Sequence, residues 1–269
     1  MTGKEIRLKR LFKNSGKILI VPMDHGITIG PIEGLKNMSE IVKRVSSGGA
    51  DAIVVHKGLV EQITDSMSSN GCQLIVHLSG STSLAPDANR KELVASVEHA
   101  IRIGATAVSV HVNLGSAFES EMLRDLGKTA EECEKWGIPL LAMMYVRDGS
   151  KESEYNASKI MHAARVAEEL GADIIKVNYS GSPESFEEVT SSIAKPVVIA
   201  GGAKMSSTSE LLTMLADAVS AGAKGVAIGR NIFQDPYPER LVSSIRQILD
   251  KNIPREKAAQ LIKKKKTTK

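Results

Sequence analysis

The sequence predicts an α/β fold in which eight strand-and-helix units close into a (β/α)8 TIM barrel. Three observations lead to this prediction. A short motif recurs four times, the strands are continuous apolar runs, and the chain has 269 residues, close to the ~250 residues typical of the architecture. The four copies of the motif are GGADAIVVH from residue 48, GATAVSVHV from residue 104, GADIIKVNY from residue 171 and AGAKGVAIG from residue 221.

A helical pattern precedes each copy of the motif. Apolar residues recur three and four positions apart in MSEIVKRVSS, ELVASVEHAIRI, SKIMHAARVAEEL and LLTMLADAVS, which is the spacing of one helix face. The glycine that follows can adopt the positive φ that ends a helix. Each copy therefore predicts a helix, a glycine turn and a strand, in that order.

Four further apolar runs alternate with these copies. They are KILIVPM, QLIVHLS, IPLLAMMY and KPVVIAG, and they bring the number of predicted strands to eight. Continuous Val, Ile and Leu runs are typical of parallel strands covered by helices on both faces. A doubly wound open sheet that binds a dinucleotide is disfavoured, because no G-x-G-x-x-G sequence opens a helix after an early strand.

The composition is that of an ordinary globular chain, with 42% hydrophobic and 25% charged residues, and it suffices for one sizeable core. We expect residues 1–250 to form a single barrel domain and residues 251–269 to form a C-terminal helix and a basic tail. No stretch is long and apolar enough for a membrane span, and the N-terminus lacks the apolar core of a secretory signal. We therefore expect a cytoplasmic location.

The cysteines and the basic tail indicate neither a metal module nor a nucleic-acid site. Cys72 and Cys133 lie far apart without metal-binding spacing, so we expect reduced thiols. The net charge of +4 owes much to the run Lys263–Lys266. We interpret this run as a solvated terminus, because an aromatic content of 3% leaves few rings to stack on bases. No nucleic-acid partner and no membrane partner is expected.

Polar side chains collect where the predicted strands end. In a barrel of this kind the functional residues lie at the C-terminal ends of the strands and in the loops that follow. The polar residues at these ends are Asp24, His25, His56, Lys57, His77, Ser79, His111, Asn113, Tyr145, Arg147, Lys176, Asn178 and Tyr179, together with the loops 201–204 and 229–231.

The lysine inside the sixth apolar run is the strongest candidate for chemistry. Side chains alternate between the lumen and the helix layer along a barrel strand, so Ile174, Lys176 and Asn178 share one direction. The β-branched Ile175 and Val177 suit the helix layer, which directs Lys176 into the lumen near its mouth. Burial and a neighbouring cation disfavour the ammonium form, and the neutral amine is a nucleophile that forms a Schiff base with a carbonyl compound.

Schiff-base chemistry also needs groups that carry protons. Tyr145 and Asp24 end the fifth and first runs, and a phenol or a carboxylate at the same mouth can act as acid or base. Two alternatives stay open at this point: Lys176 is a structural lysine paired with a carboxylate such as Asp24, and Tyr145 is a packing residue. Tyr179 is a weaker candidate because it has the opposite parity from Lys176.

The seventh and eighth runs end in glycine turns that each carry a cation. Barrels commonly build a phosphate site at these two strands, since glycine lets backbone N–H groups approach the phosphate oxygens and a cation adds charge. The implied substrate is a phosphorylated carbonyl compound. We assign substrate and phosphate binding to residues near the mouth, namely His25, Arg147, Gly201, Gly202, Lys204, Gly229 and Arg230.

The histidines at the first four strand ends support a rival hypothesis. His25, His56, His77 and His111 would together hold a divalent metal in a metal-dependent barrel enzyme. However, no H-x-H or H-E-x-x-H pair anchors such a site, and the accompanying carboxylates are sparse. We therefore favour the Schiff base and expect neither a cofactor nor a metal.

Five ordered motifs resemble those of the archaeal-type class I aldolase family. They are PMDHG, MMYVR, DIIKVNYSG, AGGAK and IGRNIFQ, and the resemblance runs from about Lys17 to Arg246. It implies that Lys176 is the Schiff-base lysine, that Tyr145 and Asp24 are its acid and base partners, and that the glycine loops hold phosphate. It also implies a homo-oligomer. The sequences YVRDG and GGAK depart from the family's usual Y-P-R-G and G-G-P-K, which affects the details of the tyrosine loop and of the phosphate loop.

The resemblance further implies one of two main activities. One is fructose-1,6-bisphosphate cleavage, and the other is synthesis of 2-amino-3,7-dideoxy-D-threo-hept-6-ulosonate on an alternative route to 3-dehydroquinate and aromatic amino acids. The bisphosphate aldolases usually carry Trp where this chain has Met143, while HLSGSTSL and SVHVNLGS resemble the synthase branch. The synthase is therefore expected, with a keto-sugar phosphate and L-aspartate semialdehyde as substrates. Three alternatives stay open: the bisphosphate aldolase, a related synthase that joins dihydroxyacetone phosphate to the same semialdehyde, and a non-catalytic phosphate-binding regulator.

Overall fold

Eight parallel strands form a closed barrel, which confirms the fold prediction. The computed structural model describes residues 2–67 and 71–261, so the run Lys263–Lys266 lies outside the described residues. Each strand pairs with the next along the chain, and the eighth pairs with the first. The strands, numbered β1 to β8, are Ile18–Pro22, Ala52–Val55, Gln73–His77, Ala107–Leu114, Leu140–Val146, Ile174–Val177, Val197–Ala200 and Gly225–Ala227.

Helices connect the strands and cover the outside of the barrel. They are α1 Thr2–Leu11, α2 Gly26–Ile29, α3 Met38–Gly48, α4 Val60–Ile63, α5 Val97–Arg102, α6 Glu119–Trp136, α7 Ala157–Glu169, α8 Pro183–Ser191, α9 Thr208–Ser220, α10 Arg230–Phe233, α11 Pro238–Lys251 and α12 Arg255–Ala258. Among the described residues none of these helices is long and apolar enough to cross a lipid bilayer. The domain boundary near residue 250 stays a prediction.

One predicted helix begins later than its sequence pattern indicates. The pattern starts at Glu92, but Glu92–Leu93 pair as a short antiparallel ribbon with Ser79–Gly80. Helix α5 begins only after Ser96, whose hydroxyl accepts a hydrogen bond from the His99 backbone N–H at 3.1 Å. Ser96 is thus the N-cap, and the residues before it are free to form the ribbon at the barrel mouth.

The barrel has two apolar layers that follow the alternation of side chains along each strand. The residues of the larger layer face the helices, and those of the smaller layer fill the lumen. In β6 the side chain of Ile174 belongs to the lumen layer, while Ile175 and Val177 belong to the helix-facing layer. Helix α1 closes the N-terminal end of the lumen, where Leu11 is fully buried. The chemistry-bearing end is therefore the opposite, C-terminal mouth.

Two buried aspartates tie the N-terminal ends of neighbouring strands together. Asp51 accepts a hydrogen bond from the Leu19 backbone N–H at 2.7 Å and pairs with the Arg246 guanidinium. Asp173 has the same role on the opposite side of the barrel. It accepts a hydrogen bond from the Leu140 backbone N–H at 2.9 Å and pairs with Lys4 of α1. Both aspartates occupy the same place in the repeated GAD motif, so the repeat encodes a structural contact as well as a turn.

Candidate active site

A cavity of about 500 Å³ opens at the C-terminal mouth of the barrel. This is where strand-end chemistry is expected in the fold. Lys204 does not line the cavity; its ammonium group donates a hydrogen bond to the Gln234 carbonyl at 2.9 Å. The other residues selected from the sequence for catalysis or binding all line it, namely Asp24, His25, Tyr145, Arg147, Lys176, Gly201, Gly202, Gly229 and Arg230.

Lys176 points into the lumen and is buried, with 6% of its surface exposed. Its register partner on β5 is Met143, and the ammonium Nζ lies 3.9 Å from the Met143 sulfur. Nζ also lies 6.0 Å from the centre of the Tyr145 ring. Within residues 2–67 and 71–261 the Lys176 side chain forms no ion pair with a carboxylate, so the amine is not held by a neighbouring acid.

Asp24 carries its charge in the middle of a group of cationic and imidazole side chains. Its carboxylate oxygens lie 3.8 Å from His77 Nε2 and 3.8 Å from His25 Nδ1. Burial alone would raise the pKa of Asp24, but His77, His25, Lys176 and His56 together outweigh burial and lower it to about 2. Asp24 is therefore ionised at neutral pH and acts as a fixed negative charge at the mouth.

The strand-end histidines are held neutral by burial. Burial lowers the pKa of His77 to about 4 despite the opposing effect of Asp24, and His77 Nδ1 lies 2.8 Å from the Ser109 hydroxyl. Burial also lowers the pKa values of His25 and His56. Among the described residues no group of three or more histidine, cysteine or carboxylate side chains is arranged to hold a metal ion. His25, His56 and His77 thus form a neutral polar wall around Asp24.

Tyr145 stands between Lys176 and the outer rim of the cavity. Its ring packs against His111 at 4.9 Å between centroids, and the Arg147 guanidinium lies 5.2 Å from the ring centre. Arg147 also pairs with Glu154, which arrives from the loop after β5 and lines the same cavity. The sequence analysis assigned Arg147 to substrate binding; in the structure a carboxylate on the following loop balances its charge.

The loops after β7 and β8 meet in one corner of the cavity. Gly202 adopts a positive φ of 64°, and its carbonyl accepts a hydrogen bond from the Arg230 guanidinium at 3.0 Å. Asn231 ties the loop down, since its amide donates to the carbonyls of Gly201 at 3.1 Å and Ala203 at 3.0 Å. The sequence analysis did not single out Asn231, because an amide four residues after a strand carries no distinctive signal.

Gly229 is required by a close approach to β1. A β-carbon at this position would lie 2.8 Å from His25 Cε1 and 2.9 Å from the Pro22 carbonyl oxygen, and both distances are shorter than atoms tolerate. The β8 loop therefore packs directly against His25. Tyr179, by contrast, lies outside the lumen, where its ring packs on Phe186 at 5.3 Å, as its parity predicts.

Lys91 is a cavity cation that the sequence analysis missed. It precedes the Glu92–Leu93 strand of the ribbon and lines the cavity from above β3 and β4. Its ammonium group donates a hydrogen bond to the Ser81 hydroxyl. No strand-end or spacing pattern points to this residue, because only the folding back of the ribbon brings it to the mouth.

Comparisons with known proteins identify the family of the chain. A family model described as DeoC/LacD family aldolase matches residues 18–235. The chain is 44% identical over 260 residues to 2-amino-3,7-dideoxy-D-threo-hept-6-ulosonate synthase 1 of Archaeoglobus fulgidus, covering 97% of this chain and 96% of the relative. It is 41% identical over 248 residues to 2-amino-4,5-dihydroxy-6-oxo-7-(phosphonooxy)heptanoate synthase of Streptomyces griseus, covering 92% and 90%.

A solved structure shows the same architecture with a lysine adduct. It is that of an archaeal fructose-1,6-bisphosphate aldolase with its catalytic lysine covalently bound to the carbinolamine intermediate of the substrate. Its TM-score with this chain is 0.83 at 29% identity, covering 92% of this chain and 99% of the other. The barrel, the family match and the two relatives lead to one conclusion: the chain belongs to the DeoC/LacD family of aldolases.

Proposed function

We propose that the protein is a lysine Schiff-base synthase that transfers three carbons from a keto-sugar phosphate to L-aspartate semialdehyde and so forms 2-amino-3,7-dideoxy-D-threo-hept-6-ulosonate. The observation that carries this proposal is the amine of Lys176, which is buried at the barrel mouth without an ion-pair partner among the described residues. The relative that is named for this product and shares 44% identity over nearly the whole chain supports the choice of reaction.

The chemistry starts from the amine of Lys176, which lies near a proposed proton carrier and a fixed negative charge. Lys176 Nζ adds to the substrate ketone, and the resulting carbinolamine loses water to give an iminium ion. The iminium draws electrons from a nearby carbon–carbon bond, so an aldehyde departs and an enamine stays on the lysine. The enamine carbon then attacks the aldehyde of aspartate semialdehyde, and hydrolysis releases the product and restores the amine. Tyr145 and Asp24 are the proposed proton carrier and fixed charge for these steps.

We assign phosphate binding to the corner formed by the β7 and β8 loops. Arg230 supplies a guanidinium, which pairs well with phosphate oxygens, and the glycines at 201, 202 and 229 leave the backbone accessible to them. The Arg230 side chain already contacts the Gly202 carbonyl, so the two loops and the cation form a single corner. His25 packs against this corner and is proposed to contact the substrate.

A second candidate reaction is the one named for the relative from Streptomyces griseus. That product carries a phosphonooxy group at C7, whereas the first candidate's product is deoxy at the same carbon. A donor such as dihydroxyacetone phosphate would therefore leave a phosphorylated enamine on the lysine. The Arg230 corner, two strands from Lys176 along the barrel, provides a place for that phosphate.

Borohydride trapping tests the proposal and separates the two candidates. Sodium borohydride reduces the iminium to a stable amine, so mass spectrometry of the trapped protein gives the number of retained carbons and shows whether they carry phosphate. We expect 6-deoxy-5-ketofructose 1-phosphate to leave an unphosphorylated three-carbon adduct on Lys176. The matched control is Lys224→Met at the opposite end of the barrel, which should label like wild type, while Lys176→Met should not label.

Three results would redirect the proposal. Labelling of Lys176→Met at the wild-type level would exclude the Schiff base on this residue. A phosphorylated adduct obtained only from dihydroxyacetone phosphate would favour the second candidate. Rapid turnover of fructose 1,6-bisphosphate, without condensation on the semialdehyde, would identify a bisphosphate aldolase instead. The cytoplasmic location and the homo-oligomer stay predictions, and light scattering of the purified chain tests the latter.

A further inference from the structure

The ribbon formed by Ser79–Gly80 and Glu92–Leu93 places Lys91 at the mouth, in addition to the two arginines of the cavity. Ser79 pairs with Leu93 and Gly80 with Glu92, so the chain between them folds back over the ends of β3 and β4. Lys91 stands at the base of the returning strand and lines the cavity. The Lys91 ammonium group is half-buried, and it lies at the wall of the cavity.

Lys91, like Arg230, has no partner of opposite charge among the described residues, whereas Arg147 does. Arg147 pairs with Glu154, and Arg230 donates to the Gly202 carbonyl. Lys91 donates to the neutral hydroxyl of Ser81 and forms no ion pair within residues 2–67 and 71–261. A partly buried ammonium with only a hydroxyl as its partner is poorly compensated, and an anionic ligand would complete its surroundings.

The environment of Lys91 is consistent with an anion-binding role. Burial lowers its pKa, Asp24 raises it, Arg147 lowers it, and Asp87 raises it, with a net lowering. Neither aspartate is close enough for an ion pair. An anion at this position would gain a charge-assisted hydrogen bond from Nζ, while the Ser81 hydroxyl donates to the Ala88 carbonyl at 3.0 Å and holds the ammonium group in place.

The two cations without a carboxylate partner lie on opposite sides of the mouth. Lys91 is above β3 and β4, whereas Arg230 follows β8 and joins the β7 loop. Lys176 on β6 faces the space between them, as does Asp24 at the end of β1. A substrate that spans this cavity through the Schiff-base position therefore meets one cation at each end.

We infer that Lys91 binds the carboxylate of the acceptor aldehyde and that Ser81 positions its ammonium group. The inference deepens the proposed function and rests on it. A single ammonium matches the single negative charge of a carboxylate, while the corner with Arg230 and three glycines is better suited to phosphate. The products named for both curated relatives carry a 2-amino carboxylate at one end and differ at the other, so this end is the shared feature that a common site would recognise.

The test compares acceptor aldehydes that carry a carboxylate, a phosphate or no charged group. The acceptors are L-aspartate semialdehyde, succinic semialdehyde, glyceraldehyde 3-phosphate and neutral propionaldehyde, each condensed with the same donor by the full chain. We expect Lys91→Met to lower kcat/KM for both carboxylate acceptors about 10- to 100-fold, the usual range for a lost hydrogen bond to a charged group. In the same variant, kcat/KM for propionaldehyde and the rate of borohydride trapping of the donor on Lys176 should each change less than about twofold.

Two further variants distinguish loss of carboxylate binding from a structural disturbance of the ribbon. Lys91→Arg should restore part of the preference for carboxylate acceptors. Lys57→Met is the matched control. Lys57 donates a hydrogen bond to the carbonyl of Val94, the residue after the ribbon, at 2.6 Å, but it does not line the cavity. This variant should prefer carboxylate acceptors over propionaldehyde as strongly as wild type does. Binding of succinate, measured calorimetrically without donor, should weaken by the same factor in Lys91→Met and gives the answer without turnover.

The outcomes distinguish a failure of the carboxylate site from a failure of the proposed function. An equal fall for charged and neutral acceptors, or slower donor trapping, would overturn the carboxylate site. A larger fall for glyceraldehyde 3-phosphate would reassign Lys91 to phosphate. Wild-type use of succinic semialdehyde but not of aspartate semialdehyde would remove the proposed function, and a Lys91-dependent response in that case would still support the carboxylate site.

Discussion

Lys176 and Met143 face each other across the β5–β6 ladder, with the ammonium Nζ 3.9 Å from the thioether sulfur. A thioether is only a weak hydrogen-bond acceptor, so this contact shields the amine from water without holding its proton. The family resemblance leads us to expect tryptophan in the bisphosphate aldolases at the position of Met143. The residue that the sequence analysis used to choose between the two activities therefore contacts the amine.

Replacing Met143 tests whether Schiff-base formation requires that no carboxylate lie beside the Lys176 amine. Met143→Glu places a carboxylate next to Nζ that can bind it as an ion pair, so Schiff-base formation at pH 7 should fall by at least about tenfold. Met143→Gln has the same shape without the charge and is the matched control. Borohydride trapping at several pH values measures both variants, and equal trapping in the two would contradict the expectation.

The close approach of Gly229 to His25 predicts a sharp size limit at the β8 loop. Gly229→Ala brings a methyl group to 2.8 Å from His25 Cε1, so the His25 ring or the loop must move and substrate KM should rise at least about fivefold, the effect of roughly 1 kcal/mol. Gly26→Ala is the control, because a β-carbon there meets no atom within 4 Å. Steady-state kinetics of the two alanine variants decide the point, and equal KM values would show that the loop adapts.

The features that the sequence predicted are those encoded in local periodicity. Apolar runs determine the strands, the strand ends bring Asp24, Tyr145 and Lys176 to one mouth, and side-chain alternation directs Lys176 inward. Glu154 and Lys91 were missed because each lies on a loop that folds back over the mouth, and the path of such a loop depends on tertiary contacts. The family resemblance was confirmed by the comparisons, while the roles of the individual residues stay proposals.

The cations of the β7–β8 corner should contribute unequally to phosphate binding. Arg230 lines the cavity, whereas Lys204 is exposed and is directed at the Gln234 carbonyl. We expect Arg230→Met to raise KM for the phosphorylated donor about 10- to 100-fold and Lys204→Met to have a much smaller effect. Inhibition by inorganic phosphate provides an independent measurement. A larger effect of Lys204→Met would show that the loop closes over phosphate and brings Lys204 inward.

Stability should fall as the solution becomes mildly acidic, because neutral histidines are buried at the mouth. The pKa of His77 is about 4 in the folded chain and about 6.5 in an unfolded one. Between these values the unfolded chain binds a proton that the folded chain does not, so the free energy of unfolding decreases as pH falls from about 6.5 to about 4. The loss through His77 alone is on the order of 3 kcal/mol.

Urea unfolding of wild type and His77→Asn at pH 7.5 and pH 4.5 checks this prediction. Asparagine keeps a polar group near the Ser109 hydroxyl but cannot bind a proton in this range, so the variant should lose less stability on acidification. Burial also lowers the pKa values of His25, His56 and His111, so part of the slope will remain. Asp24, with a pKa of about 2, affects stability only below pH 4. Identical slopes in the two proteins would contradict the role of His77.

The ion pair between Arg246 and Asp51 should matter for stability and not for catalysis, because it lies at the N-terminal end of the barrel, away from the mouth. Asp51 is fully buried, so Arg246→Met leaves a buried carboxylate without its cation and should lower the free energy of unfolding by about 3–5 kcal/mol. The double variant Asp51→Asn/Arg246→Met removes both charges and should be less destabilised than the single variant. Urea denaturation gives the free energies, and kcat measured on the folded fraction should match wild type in both. A double variant no more stable than Arg246→Met would show that the Asp51 carboxylate does not suffer from losing its partner, since the Leu19 N–H and Asn14 amide hydrogen bonds would then suffice to hold it.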